Sequence, residues 1–517
     1  MEGFGNHMSN LKTFNNLYIS LSQSAYEDRP RNFDKQLQVD DAPVEIVYSR
    51  GYTDTEVEIA GGKNLPNNGI VYVHKDTTVQ TVTEFTSLGN EYEYKKGLLS
   101  NEQDGFNAYF LTDTPELNKD TKNAYLAVKG SDAPSFKNFS AIRNDWLGNN
   151  YRFVLHDEYI QQGKLVEEAL HVKLAELREK APNAKLNMTG HSLGSIASVQ
   201  GAAHLSIEEL EQIGEIVVLN GPDTLKSLRK SGISEEVIQI LNEKVTYYVN
   251  PFDIVSMLNR NTDEQLGKVK VIVPFNFATT FENPNSHDFG EYRIYSDGTV
   301  LEATEDFFPA YLKAGEKLSK LLNKYIELIK EDNTIFGLDK IGDTSNLLLT
   351  LVNGSRYYSK FMKEYQEIIE ETKLEVISWG RKNIQSIQEK LLYTNGPDRI
   401  KLRSELILTL SHLSRIESDD KVSRTLKQLE EYKQRVKELT ISASHEALNV
   451  AFHLDSNELY ELLYEFDFES CWDESTEQLN RELLKAYLEK IYKFSDTLFY
   501  ATEKLEEIDR EQGELFA

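Results

Sequence analysis

Lys185-Leu186-Asn187-Met188-Thr189-Gly190-His191-Ser192-Leu193-Gly194 decides how the first half of this chain is read. The apolar run at 186–189 predicts a strand that stops at Gly190. Ser192 then sits in a Gly-x-Ser-x-Gly frame, and small residues follow at Ser195, Ala197, Ser198, Gly201, Ala202 and Ala203. The pattern is a strand turning sharply into a helix, with the serine hydroxyl raised at the turn. Glycines flank the serine because a Cβ would collide in so tight a turn; the small residues let the helix lie close to a sheet. With 28 glycines in 517 residues, the pentapeptide alone arises by chance in roughly one such chain in ten. The strand before it and the helix after it give it weight. The side chain of His191 is expected to point away from that of Ser192 and to take no part in the chemistry.

Outward from this turn, strand-like runs alternate with helical periodicity. The order is a strand at 124–128, a helix at 164–179, the strand at 186–189, a helix from Ser195, a strand at 215–219, a helix near 224–241 and a strand at 245–249. Alternation of this kind predicts a mostly parallel sheet flanked by helices on both faces, an α/β fold. Asp297-Gly298, between 292–295 and 299–301, predicts a closing hairpin. Past Leu301 the strand pattern ends. Apolar residues recur in threes and fours at Leu402, Leu406, Leu410, Leu413 and Ile416, and again from Val422 to Leu439. Similar stripes cover 358–391 and 479–505, and Asn395-Gly396-Pro397 breaks two of the long helices. Ser475 with Gln478 predicts a capping box for the last one. The expected division is an α/β domain at 1–304 followed by an elongated all-α bundle at 305–517.

Composition narrows the function classes. The net charge of −27 repels nucleic acid and anionic headgroups, so no nucleic-acid partner is expected. No apolar run approaches the ~18 residues of a membrane span, and the first thirty residues lack the basic-then-apolar pattern of a general secretory signal. The single cysteine, Cys471, excludes an intrachain disulfide and argues against a thiolate metal site.

A serine hydroxyl needs a histidine to take its proton and a carboxylate to orient that histidine. In α/β-hydrolases the chain order is Ser, then Asp or Glu, then His. The strand at 245–249 runs into Asn250-Pro251-Phe252-Asp253-Ile254-Val255, which puts Asp253 at the carboxyl end of a strand, where open α/β sheets keep their chemistry. Asp223, after the preceding strand, is the rival; chain order favours Asp253. The first half holds a single histidine after Asp253, His287, whereas His412, His445 and His453 lie in the helical half. The oxyanion formed on attack needs preset donors. The backbone N–H of Leu193 is one, and the loop after 124–128 offers Ser131 as the second, with Gly130 equally readable as a plain turn glycine.

With these residues in place, the first 300 or so positions resemble a class 3 lipase. The family's Gly-His-Ser-Leu-Gly elbow stands at 190–194, its acid context Asn-x-x-Asp-x-Val at Asn250, Asp253 and Val255, and its oxyanion loop at Val128-Lys129-Gly130-Ser131 with Trp146 beyond. Lysine replaces the usual arginine, and Ser195 stands where a second glycine is common. The resemblance implies a Ser192–Asp253–His287 triad, hydrolysis of phospholipid or glyceride esters at a membrane surface, and no metal or organic cofactor. Segments 132–146 (a lid) and Phe275 to Phe281 (an acyl groove) are the expected apolar parts. The order of lipase half and helical half further resembles the lipase toxins of Gram-positive type VII secretion. That likeness implies export without a signal peptide, small helical partner proteins on the C-terminal domain and an immunity protein on the lipase domain. Tyr492-x-x-x-Asp496 fits the tyrosine–acid signal of such substrates, although a chain this rich in tyrosine and acid holds several such pairs by chance. Two other readings stay open: an inert lipase-like scaffold that signals through its helical half, and an esterase or peptidase acting on small substrates.

Overall fold

The computed structural model describes residues 16–25, 55–58, 70–74, 76–85, 90–130, 158–260, 264–280, 282–283, 286–287, 289–294, 299–331, 357–451, 453–464 and 466–516. The chain packs as two compact units, Met1–Val376 and Ile377–Ala517.

The first unit is built on one mixed sheet. Its early strands are β1 (Thr55–Glu58), β2 (Ile70–His74), β3 (Gln80–Phe85), β4 (Glu91–Lys96), β5 (Ser100–Asn101) and β6 (Phe106–Thr112). All of them pair antiparallel with their neighbours. β7 (Asn123–Val128) pairs antiparallel with β6 and parallel with β8 (Lys185–His191). β9 (Ile213–Leu219), β10 (Val245–Val249) and β11 (Lys268–Val271) continue the parallel series in that spatial order. Strands β3 and β4, QTVTEF and EYEYKK, escape a periodicity reading because they carry no continuous apolar stripe and are largely exposed.

Strand alternation sorts the parallel strands into two faces. Helix α1 (Leu17–Ser24), capped by the Asn16 side chain, sets Leu17 and Leu21 against Val71, Val73, Tyr109, Leu111, Tyr125 and Ala127. On this face Thr189 Oγ1 also donates to the Tyr18 carbonyl. Leu186 and Met188 point the other way, where α3 (Leu193–Ala203) packs on the sheet and α2 (Gln161–Lys180) packs on α3. A Cβ on Gly201 would stand 2.6 Å from Val166 Cγ1, so the small residues of α3 admit a neighbouring helix as well as the sheet. The α4 helix (Ile207–Gln212) starts on a Ser206/Glu209 capping box. The single helix expected near 224–241 is two, α5 (Leu225–Lys230) and α6 (Glu235–Lys244), because Gly232 takes φ 82° between them. Near the end of the sheet Ile294 and Val300 pair antiparallel; Asp297 and Gly298 lie outside the described residues.

The first unit continues past 304. Helix α7 (Ala310–Glu331) buries Tyr311, Leu318 and Tyr325 and lies against the loop after β10, where Ser319 Oγ and Asn323 Nδ2 both donate to the Arg260 carbonyl, at 2.6 and 3.2 Å. Helix α8 (Tyr358–Leu391) starts in the same unit, with Glu364 accepting from Tyr325 and Lys324. The compact unit therefore closes near Val376, inside α8, because α7 and the start of α8 cover the loops at the carboxyl ends of the strands.

The second unit holds α9 (Pro397–Val450), α10 (Ser456–Tyr464), α11 (Phe468–Cys471) and α12 (Glu474–Phe516). Gly396, at φ 67°, precedes α9, and Pro397 stands at its first position, where a proline's fixed φ suits the helix and its missing N–H costs nothing. The cap of α12 is Asp473, whose Oδ1 accepts from the Ser475 and Thr476 amides at 3.0 and 3.1 Å; the expected Ser475 box does not form, since its hydroxyl turns back to the same carboxylate. α9 and α12 run antiparallel along a polar seam. Ser411 meets Ser495, Arg415 lies 3.5 Å from Asp496, and Tyr492 donates to Asp419. Among the described residues no helix is long and apolar enough to cross a membrane.

Candidate active site

Ser192 stands between β8 and α3 with φ 56°, a left-handed conformation that a serine adopts only when its surroundings hold it there. Both flanking glycines are sterically required. A Cβ on Gly190 would stand 2.5 Å from the Gly194 carbonyl carbon, and one on Gly194 would overlap the Val128 carbonyl oxygen at the end of β7. The turn is thus pressed against the neighbouring strand, and the Ser192 amide donates to Leu219 O of β9.

The structure brings Ser192, His287 and Asp253 together. Ser192 Oγ lies 2.9 Å from His287 Nε2, and His287 Nδ1 lies 2.9 Å from Asp253 Oδ2. All three are buried. In the consistent proton arrangement His287 Nδ1–H donates to the carboxylate and Ser192 O–H donates to Nε2. Asp253 is itself fixed: its oxygens accept from the Val255 and Ser256 amides at 3.1 and 2.9 Å and from the Ser256 hydroxyl.

Asp223 lies elsewhere. Its carboxylate accepts from the Leu225 and Leu266 amides and lies 3.9 Å from the buried Arg260 guanidinium. Burial raises its pKa against the pull of Arg260. It fastens the loop after β10 to the start of α5.

Leu193 is the first residue of α3, and an amide in that position has no acceptor within its own helix. With the helix dipole behind it, this N–H is suited to meet a developing negative charge. Ser131, the expected second donor, and the 132–146 segment lie outside the described residues. Lys129, at the same strand end, is buried.

Three contributors escape the sequence reading. His191 Nε2 lies 2.6 Å from the carbonyl oxygen of His287, and Asn220 Nδ2 donates to the same oxygen at 2.8 Å. Burial, with His287 beside it, pushes His191 down to about 3, so it stays neutral and keeps a donor hydrogen there. Asn220, at φ 47° just beyond β9, also accepts from the Asn250 amide and the Tyr292 hydroxyl, tying the ends of β9 and β10 to the histidine loop. Ser256 is the third, through its hydroxyl on Asp253. A sequence signal existed only for Asn220, an Asn-Gly pair directly after a strand.

The chain between Asp253 and His287 is organised by Glu291, whose carboxylate accepts from the Phe275 and Asn276 amides and from the side-chain amides of Asn276 and Asn283. Phe277 packs on Phe252 and Tyr311, with ring centroids 5.1 and 5.6 Å away, and Phe275 lies under the Arg293 guanidinium. Phe281 lies outside the described residues. Among the described residues no grouping of His, Cys, Asp or Glu is suited to a metal ion. Comparison with known protein families and with curated proteins finds no match for this chain.

Proposed function

We propose that the first unit is an α/β-hydrolase of the class 3 lipase kind, a serine hydrolase that cleaves acyl esters of phospholipids or glycerides. The observation that carries this reading is the continuous relay Ser192–His287–Asp253, anchored at the carboxyl ends of parallel strands with the nucleophile on a strained turn. Ser192 Oγ attacks the ester carbonyl while His287 Nε2 takes its proton, and Asp253 holds the imidazolium that forms. The tetrahedral oxyanion points at the Leu193 N–H. The alcohol, a lysolipid or partial glyceride, leaves with the proton from His287. A water deprotonated by the same histidine then attacks the acyl-serine, and fatty acid departs as Ser192 recovers its proton.

The test is turnover of fluorescent phospholipid and triglyceride by the wild-type chain and by Ser192→Ala. Removal of the nucleophile should cost a factor on the order of 10⁴ or more. Equal turnover by the two would refute the reading; no turnover and no serine labelling in the wild type would favour the inert scaffold.

For the second unit we propose recognition of small helical proteins and, through it, export as an antibacterial toxin by the type VII route, with an immunity protein guarding the producer. Exposed Leu439, Ile441, Leu448 and Val450 on α9 and Leu479, Leu483 and Phe494 on α12 support it, being large apolar side chains left in water. Aspartate substitutions at Leu479 and Leu483 should weaken capture of such partners and lower export without touching hydrolysis; unchanged export would refute this.

A further inference from the structure

Asp253 is held not only through its side chain but through the peptide groups on both sides of it. The carbonyl of Phe252, just before it, accepts from the Tyr365 hydroxyl of α8 and from Thr280 Oγ1, the latter at 3.2 Å. The amide of Ile254, just after it, donates to Thr280 Oγ1 at 3.2 Å. Tyr365 closes the set by accepting from the Thr280 amide at 3.0 Å. Two hydroxyls thus clamp the acid's turn to the segment that leads to His287, and one of them comes from a helix that begins more than a hundred residues later. Tyr365 is fully buried, and its ring packs on Phe361 at 5.7 Å. Burial raises its pKa further above the usual tyrosine value, so the phenol keeps its proton and remains a donor.

We infer that Tyr365 is a positioning residue of the hydrolase: together with Thr280 it sets the acid turn against the histidine segment, and α8 is therefore a working part of the active-site unit. This rests on the serine hydrolase reading. It also extends the working unit beyond the α/β domain expected at 1–304, because a chain ending there loses the hydroxyl on Phe252 O and the Tyr311 ring that packs on Phe252.

The geometry of a relay is sensitive to small displacements; a shift near 1 Å can cost roughly 10²-fold in rate. Tyr365→Phe in the full chain keeps the ring and removes only the hydroxyl. It should lower kcat for a soluble ester by about ten-fold or more, leave KM in place, and slow the labelling of Ser192 by a fluorophosphonate in parallel. Thr280→Val should do the same, and Thr280→Ser, which restores a hydroxyl, should recover most of the rate. Circular dichroism and the unfolding midpoint are read on each variant. Wild-type kcat in Tyr365→Phe overturns the assignment, and so does a variant that fails to fold, since the hydroxyl would then serve the fold alone. Equal losses in Thr280→Val and Thr280→Ser also count against it. Failure of the wild-type chain to label with the fluorophosphonate would sink the hydrolase reading itself, a result separable from all of these.

Discussion

Replacing Gly221 with alanine measures how tightly the turn around Ser192 is packed. An alanine Cβ there would overlap Ser195 Oγ outright and stand 2.5 Å from Ser195 Cβ. Gly221 does not occupy the left-handed region, so its backbone accepts alanine and the whole effect is steric. Ser195 cannot retreat, because α3 is pinned at Gly194 against the Val128 carbonyl. Nor can its hydroxyl swing away freely, since it donates to Ser192 O. Overpacking of this kind costs about 1–3 kcal/mol, and the displaced hydrogen bond about 1 more. Gly221→Ala should therefore lose roughly 2–4 kcal/mol, and kcat should fall because the strained Ser192 moves with its neighbour. Ser195→Gly removes the obstructing atoms and by itself costs about 1–2 kcal/mol, from helix propensity and the lost bond. The double variant should be no less stable than Ser195→Gly alone, a coupling of roughly 2 kcal/mol or more. Urea unfolding of the four proteins, with ester hydrolysis measured beside it, decides the matter. Additive losses in the double variant would refute the reasoning.

Asp253→Asn should cut kcat by about 10⁴ with a small change in stability, whereas Asp223→Asn should cost about 3 kcal/mol by leaving the buried charge of Arg260 without its carboxylate; the reverse pattern in kinetics and melting would unseat the acid assignment. His191 folds with a pKa of about 3 against 6.5 for the free side chain, so between those values the unfolded chain binds more protons. Its contribution to stability is whole above about pH 6.5 and is lost as pH falls toward 3, by up to roughly 5 kcal/mol. His191→Gln should flatten the fall in unfolding free energy over that window, and an unchanged slope would count against the buried neutral imidazole. Phospholipid or glyceride in aggregates should be hydrolysed faster than a soluble short-chain ester, as measured with matched chromogenic substrates; a wide preference for acetyl esters would redirect the proposal to an esterase.

Ser192, Asp253 and His287, which the structure joins in one hydrogen-bonded relay, are legible in the sequence because the proposed hydrolase chemistry demands fixed residue types in a fixed chain order at strand ends. Their supports are not. His191 and Asn220 act on a backbone carbonyl, and any residue has one, so no pairing pattern in the sequence points to it. Tyr365 acts across 113 positions on the carbonyl of Phe252, and its place in a helical stripe marks it as ordinary core. The parallel strands show as apolar runs because both faces are covered, while the exposed β3 and β4 alternate too weakly to be seen. The boundary at 304 follows the end of the strand pattern; periodicity reports the type of an element but not the surface it covers, and α7 covers the site loops.

The seam between α9 and α12 bears on how Tyr492-x-x-x-Asp496 can be used. Tyr492 is engaged by Asp419 and stacks under Arg415, and Asp496 neutralises that same arginine. A one-turn slip of one helix against the other would strand a guanidinium in the interior, so both positions are constrained by the hairpin's alignment. Their persistence in any homologue would testify to folding before it testified to export. Swapping them tests the two roles separately: Tyr492→Phe should keep the ring over the arginine while deleting the phenol, and a transport defect in a hairpin that still melts as wild type would be needed before the pair could be read as an address.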